Sequence, residues 1–197
     1  PPADDEIVLT SGKSYSNVFH ANGGSASFSV MANTLRGVYG TDVLLATANS
    51  FTGSVLQADY NQKMAASMIM PNGLMSRQRT MTGAELKETV RAFVEGCEGG
   101  FVPFNRGSLP VVSGIAVEVK EANGSYTLTG ITRNGQPLGD DDTVTVTCLA
   151  TEKQMEALLA SDSGTSAGED AWVKNTWRDY VSGGAALAEP ENYMTLR

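Results

Sequence analysis

The sequence predicts an α+β fold, with helices packed on mixed sheets of mainly antiparallel type. Three observations predict it. Residues 111–148 carry apolar alternation interrupted by Asn123-Gly124 and Asn134-Gly135, both strong hairpin turns. Val43-Leu44-Leu45-Ala46 is an unbroken apolar run, typical of a buried strand. Thr82 with Glu85, and Thr151 with Gln154, have capping-box spacing: the hydroxyl takes the amide three residues on while the longer side chain reaches back. Helices and strands therefore mix along the chain around a central meander.

Element by element, Ile7-Val8-Leu9 reads as a short strand after the acidic leader Pro1-Pro2-Ala3-Asp4-Asp5-Glu6. The expected division is a linker and leading strand over 1–24 and one domain over 25–197. Phe28, Val30, Met31 and Leu35 suit a helix over 25–35, ended by Gly37 and Gly40. Residues 42–48 form the buried strand. Residues 57–68 read as a helix, with Met64 and Met68 four apart, and Pro71-Asn72-Gly73 as a turn. Residues 74–81 read as a strand with Arg77 and Arg79 on one face. The helix capped by Thr82 presents Leu86, Val90 and Phe93 on one side and runs to about Gly96. Residues 99–108 read as a loop that Phe101 and Phe104 pin, or in which they line a pocket. Strands follow over 111–120, 126–132 and 143–148. A helix opens at Thr151, a small-residue loop spans 161–169, and a last helix over 170–181 carries Trp172, Trp177 and Tyr180. There is no internal repeat.

Composition narrows the function. The chain has 197 residues, 41% of them apolar, enough for one substantial core. No apolar stretch approaches the ~20 residues of a membrane helix, and the acidic start is unlike a leader peptide. With 14 basic and 22 acidic residues the net charge is −8, which argues against nucleic acid as a partner. A compact anion held by local arginines remains compatible with that charge. The two cysteines, Cys97 and Cys148, read as buried free thiols, or as one disulfide if the protein is exported. A single histidine, His20, is too few to anchor a dinuclear metal centre and reads as an ordinary loop residue. Asp140-Asp141-Asp142 lacks calcium-loop spacing and reads as an acidic turn. Met64, Met68, Met70 and Met75 read as core filler.

A spaced motif series extends over most of the chain, from about residue 25 to 185. It comprises Thr41-Asp42 before the apolar strand, Thr82-Gly83-Ala84-Glu85-Leu86, Ser113-Gly114, Asn134-Gly135-Gln136-Pro137-Leu138 with Val144-Thr145-Val146, and Gly168-Glu169-Asp170-Ala171-Trp172. In order and spacing the series resembles the C-terminal domain of the metal-dependent 5′-nucleotidases. Asn33-Thr34 stand where that family's first helix has Asp-Ala, and Val144 replaces its usual tyrosine. The resemblance implies that this domain holds the nucleotide or nucleoside, while divalent metals and hydrolysis belong to an N-terminal metallophosphatase domain. It also implies an extracellular, cell-surface or periplasmic location.

The resemblance places the substrate-binding positions at Thr47, Asn49, Thr52, Asn72, Asp170 and Trp172. It assigns no catalytic or metal-binding residue and no cofactor to this chain. The family's Asn-Gly-Gly-Gly-Ile-Arg becomes Thr47-Ala48-Asn49-Ser50-Phe51-Thr52, so threonine stands at the phosphate arginine. The phenylalanine that forms one wall of its base clamp becomes Asn72, whereas the second wall is kept as Trp172. Each base–aromatic stack contributes about 1–3 kcal/mol, so these losses weaken nucleotide recognition. Arg36, Arg77 and Arg79 are the candidates to replace the missing cation. Their plainer reading, for Arg77 and Arg79, is a solvated sheet face, and that of Trp172 is a core residue at a helix start. Two function classes follow: the substrate-binding part of a hydrolase, or a binding or structural module that kept the fold and lost nucleotide recognition. A free-standing enzyme has no motif in its support.

Overall fold

The computed structural model describes residues 5–95, 109–159 and 163–197. Gly96, Cys97, Phe101 and Phe104 lie outside them, as does most of the acidic leader. The first half of the chain forms β1 (Ile7–Ser11), β2 (Phe19–His20), β3 (Gly24–Ser25), α1 (Ala26–Tyr39), β4 (Val43–Thr47), a 3-10 turn (Ala48–Ser50), β5 (Ala58–Asn61), α2 (Gln62–Ala66), β6 (Leu74–Thr82) and α3 (Gly83–Glu95). The second half forms β7 (Pro110–Ser113), β8 (Ala116–Ala122), β9 (Ser125–Arg133), β10 (Gln136–Pro137) and β11 (Thr143–Thr151). It ends with α4 (Glu152–Leu158), β12 (Thr165–Ser166), β13 (Ala171–Trp172), α5 (Val173–Ser182) and β14 (Met194–Leu196).

The larger sheet has the order β12-β6-β11-β4-β7, with β13 on the same edge of β6 as β12. All five residues of β4 are buried, which explains its unbroken apolar sequence. β4 runs parallel to β11, with Val43 opposite Val146, and antiparallel to β7. β6 and β11 pair antiparallel from Thr82–Thr143 to Leu74–Thr151. The second sheet has the order β10-β9-β8-β14, and β14 lies parallel to β8. Antiparallel pairs dominate, as the two Asn-Gly turns imply. Asn123 and Asn134 take φ 54° and 52°, the left-handed conformation that such hairpins require.

Both capping boxes form. Thr82 Oγ1 accepts the Glu85 amide at 3.2 Å and Glu85 Oε2 accepts the Thr82 amide at 2.9 Å. The Thr151–Gln154 box opens α4 in the same way. The acidic turn 140–142 also serves α3. The carbonyls of Asp142 and Asp140 accept the Gly83 and Ala84 amides at 2.7 and 3.0 Å. Residues 27–35 of α1 are all buried although five are Ser, Ala, Asn or Thr. Three of the small polar ones face the C-terminal segment: Ser29 Oγ donates to the Glu191 carbonyl, Asn33 Nδ2 donates to that of Glu189, and Thr34 Oγ1 accepts the Ala188 amide.

Several expectations are corrected. Residues 57–68 are not one helix. Ala58–Asn61 is a strand paired with β1, and Asn61 then caps the short α2 through the Met64 amide. Tyr60, buried while Asp59 is exposed, shows the period-2 pattern that the Met64–Met68 spacing obscured. Residues 111–120 are not one strand, because Gly114 turns with φ 83° and sends β7 and β8 into different sheets. The last helix begins at Val173, and Ala171–Trp172 is a strand on β6. Met68 is buried, but Met64 and Met70 are exposed, so they are not core filler.

Candidate functional site

The carboxyl ends of the parallel strands β4 and β11 point the same way, the arrangement at which open α/β sheets take ligands. There they meet the start of β6 around a cavity of about 290 Å³. Thr47, Asn49, Ser50, Met70, Leu74 and Gln154 are among its walls, and none of the described residues that line it is charged. Thr47 is the last residue of β4, and the 3-10 turn that follows carries Asn49 outward and Ser50 inward. The Ser50 hydroxyl is buried and has no hydrogen-bond partner among the described residues. A buried hydroxyl left unpaired costs about 1–3 kcal/mol. Sequence reasoning passed over Ser50, since nothing in its type marks it.

The six predicted substrate-binding positions divide. Thr47 and Asn49 line this cavity. Asn72 is exposed beside it, one residue after the lining Pro71. Thr52 sits past the turn, where its hydroxyl donates to the Ser67 carbonyl and its amide to that of Met68. Asp170 and Trp172 lie on the free edge of β6, and neither lines the cavity. Trp172 pairs with Met75, next to the lining Leu74, and its side chain is 49% exposed. It is therefore not a core residue. Trp177 fills that role, fully buried, with its indole nitrogen donating to the Ala65 carbonyl at 2.7 Å.

Asp170 and Arg77 form a bidentate pair, with Nε to both carboxylate oxygens at 3.1 Å and Nη2 to Oδ2 at 2.7 Å. The hydrogen bonds from Arg77 hold the Asp170 carboxyl below its ordinary range, and the same contact raises the Arg77 guanidinium. Arg77 is thus not a solvated cation. Planar fork-to-carboxylate pairing of this kind fixes orientation as well as charge, and it anchors the segment that carries Trp172 to β6. The neighbouring Arg79 has its Nε buried with no partner among the described residues. Cys148 opposes Arg77 across the strands, and burial pushes its thiol up to about 12. It is a protonated, inert core thiol at neutral pH. His20 is exposed on β2.

No protein-family model matches the sequence, and no curated protein matches it. Solved structures do. A 5′-nucleotidase precursor from Thermus thermophilus aligns over 98% of this chain and 39% of its own, at 12% identity and a TM-score of 0.70. The NAD nucleotidase of Haemophilus influenzae aligns over 98% and 39%, at 17% identity and 0.68. A putative 5′-nucleotidase from Staphylococcus aureus, solved with alpha-ketoglutarate, aligns over 98% and 41%, at 13% identity and 0.68. The chain therefore spans about two fifths of the length of these structures. At such low identity the likeness speaks for architecture: the chain has the α+β fold of the 5′-nucleotidase C-terminal domain.

Proposed function

We propose that the chain is the substrate-holding part of a larger, exported 5′-nucleotidase-like phosphoric ester hydrolase. Its divalent metals and attacking water would belong to an N-terminal metallophosphatase domain. The observation that carries this reading is the cavity where β4 and β11 end, walled by Thr47 and Asn49 with no charged side chain among the described residues, and the exposed Trp172 ring on the adjoining β6 edge. A nucleoside presents a flat face for an indole and polar edges for the Asn49 and Gln154 amides. Holding it there would set the phosphate outside this chain, toward the metals, which is catalysis by positioning. Calorimetric titration with AMP, adenosine and UDP-glucose tests the reading. Micromolar binding that Trp172→Ala weakens by roughly tenfold or more supports it, as expected for the loss of one stack. Binding indifferent to Trp172→Ala overturns it.

The second reading, a module that kept the fold without nucleotide recognition, is favoured by a specific observation. Thr52 is engaged with Ser67, and Arg77 is tied to Asp170 through Nε and Nη2, so neither stands as an unpaired cation in place of the family's phosphate arginine. Absence of binding to all three ligands by the folded protein selects this reading.

A further inference from the structure

A second cavity, of about 320 Å³, lies at the other end of the larger sheet. It is built from the end of α1 (Arg36), the residue preceding β4 (Asp42), the β7–β8 corner (Gly114), the β9–β10 turn (Arg133 and Asn134) and the C-terminal segment (Glu191). Asp42 and Thr47 are five residues apart along β4, about 17 Å of extended strand, so the two cavities are separate.

Two guanidinium groups meet there with nitrogens left over. Arg36 donates through Nε to Ser113 Oγ at 2.8 Å, and that hydroxyl in turn donates to Asn33 Oδ1. The group is thus held by its inner edge, and its outer nitrogens have no hydrogen-bond partner among the described residues. Arg133 donates through Nη2 to Asp42 Oδ1 at 2.9 Å. Asp42 is already engaged elsewhere, since its Oδ2 accepts the Thr145 amide and hydroxyl at 2.9 and 3.1 Å. These contacts, the Thr145 amide first, keep its carboxyl below the ordinary range and so ionised. The lining holds two cations, Arg36 and Arg133, and two carboxylates, Asp42 and the exposed Glu191, so its formal charge is balanced; what it offers an anion is the unengaged guanidinium nitrogens, with Glu191 opposing at the rim. Gly114 keeps the corner open. A Cβ there would lie 2.0 Å from the Asp42 carbonyl oxygen and 3.2 Å from Arg36 Cδ.

We infer that this cavity binds a phosphate group, free or carried on a small organic molecule, through the outer nitrogens of Arg36 and the unengaged nitrogens of Arg133. Forked guanidinium donors match phosphate oxygens in pairs, which a lysine would not. The volume exceeds what one phosphate fills and leaves room for an organic remainder. Because the chain as a whole carries −8, binding depends on the local pair and weakens with salt.

The test is titration of the whole chain at low salt with inorganic phosphate and with glycerol 3-phosphate, read by calorimetry and amide chemical shifts. Saturable binding is expected, with shifts at Gly114 and Asn134. Arg36→Gln should weaken it roughly tenfold or more, the loss of a hydrogen bond to a charged group. Glu191→Gln should strengthen it a few-fold, and as an exposed substitution it tests the site even if Arg36→Gln perturbs folding. Trp172→Ala should leave it unchanged, which separates this site from the nucleoside reading. Tighter binding of the ester identifies an organic phosphate as the ligand, and equal binding identifies the free ion. No saturable binding by the unmodified chain, or affinities unmoved by both Arg36→Gln and Glu191→Gln, overturns the inference.

Discussion

Gly114 turns the chain with φ 83° while its Cα faces the Asp42 carbonyl so closely that a Cβ would lie 2.0 Å from the oxygen. Gly114→Ala therefore combines a left-handed backbone with an overlap that neither strand can relieve, and should lower stability by at least about 2 kcal/mol. A thermal midpoint unchanged from that of the unmodified chain would refute the overlap. Asp42 itself gives a pH dependence. Its folded-state pKa is depressed, chiefly by the Thr145 amide. Its contribution to stability is therefore present above the unfolded carboxylate value of about 3.9 and is lost as pH falls through the lower folded value. Urea midpoints of the unmodified chain and of Asp42→Asn should differ most near neutrality and converge in acid; a gap that persists undiminished at the lowest pH counts against the assignment. The Ser113-Gly114 and Thr41-Asp42 pairs were visible in the sequence, but their reason was not. It lies in a close approach between Asp42 and Gly114, residues far apart along the chain, which no local pattern encodes. Ser50 was invisible altogether, because an unpaired buried hydroxyl differs from any other serine only by its surroundings.

Among the elements, the best-read were those with a chemical stop or start. The Thr82–Glu85 box, the Thr151–Gln154 box and both Asn-Gly turns form as spaced. Thr82→Ala should cost about 1 kcal/mol through the freed Glu85 amide, seen as a lower urea midpoint, whereas Thr82→Ser should restore most of it. If Ser and Ala lower the midpoint equally, the cap is not what the hydroxyl supplies. Elements defined by partners were read poorly. Residues 58–61 became a strand because β1 lies beside them, against the helical spacing of Met64 and Met68. Trp172 belongs to a two-residue strand because β6 offers a free edge and Arg77 grips Asp170. Single-sequence periodicity reports which face is apolar, not which strand will pair with it.

Across the whole molecule, strands β4, β6, β7, β8, β9, β11 and β14 of the two sheets and helices α1 to α5 contribute to one buried apolar cluster. The C-terminal residues close it, with Tyr193 and Met194 buried and β14 parallel to β8. That closure was illegible in the sequence, since the small polar residues of α1 that receive the segment look like a solvent-facing helix side. A single core implies a single transition, so far-ultraviolet dichroism and tryptophan fluorescence should report coincident unfolding. Trp177 makes the fluorescence a fair reporter, because its indole joins α5 to the Ala65 carbonyl of α2. Two separated transitions would mean that the chain unfolds in parts rather than around one core.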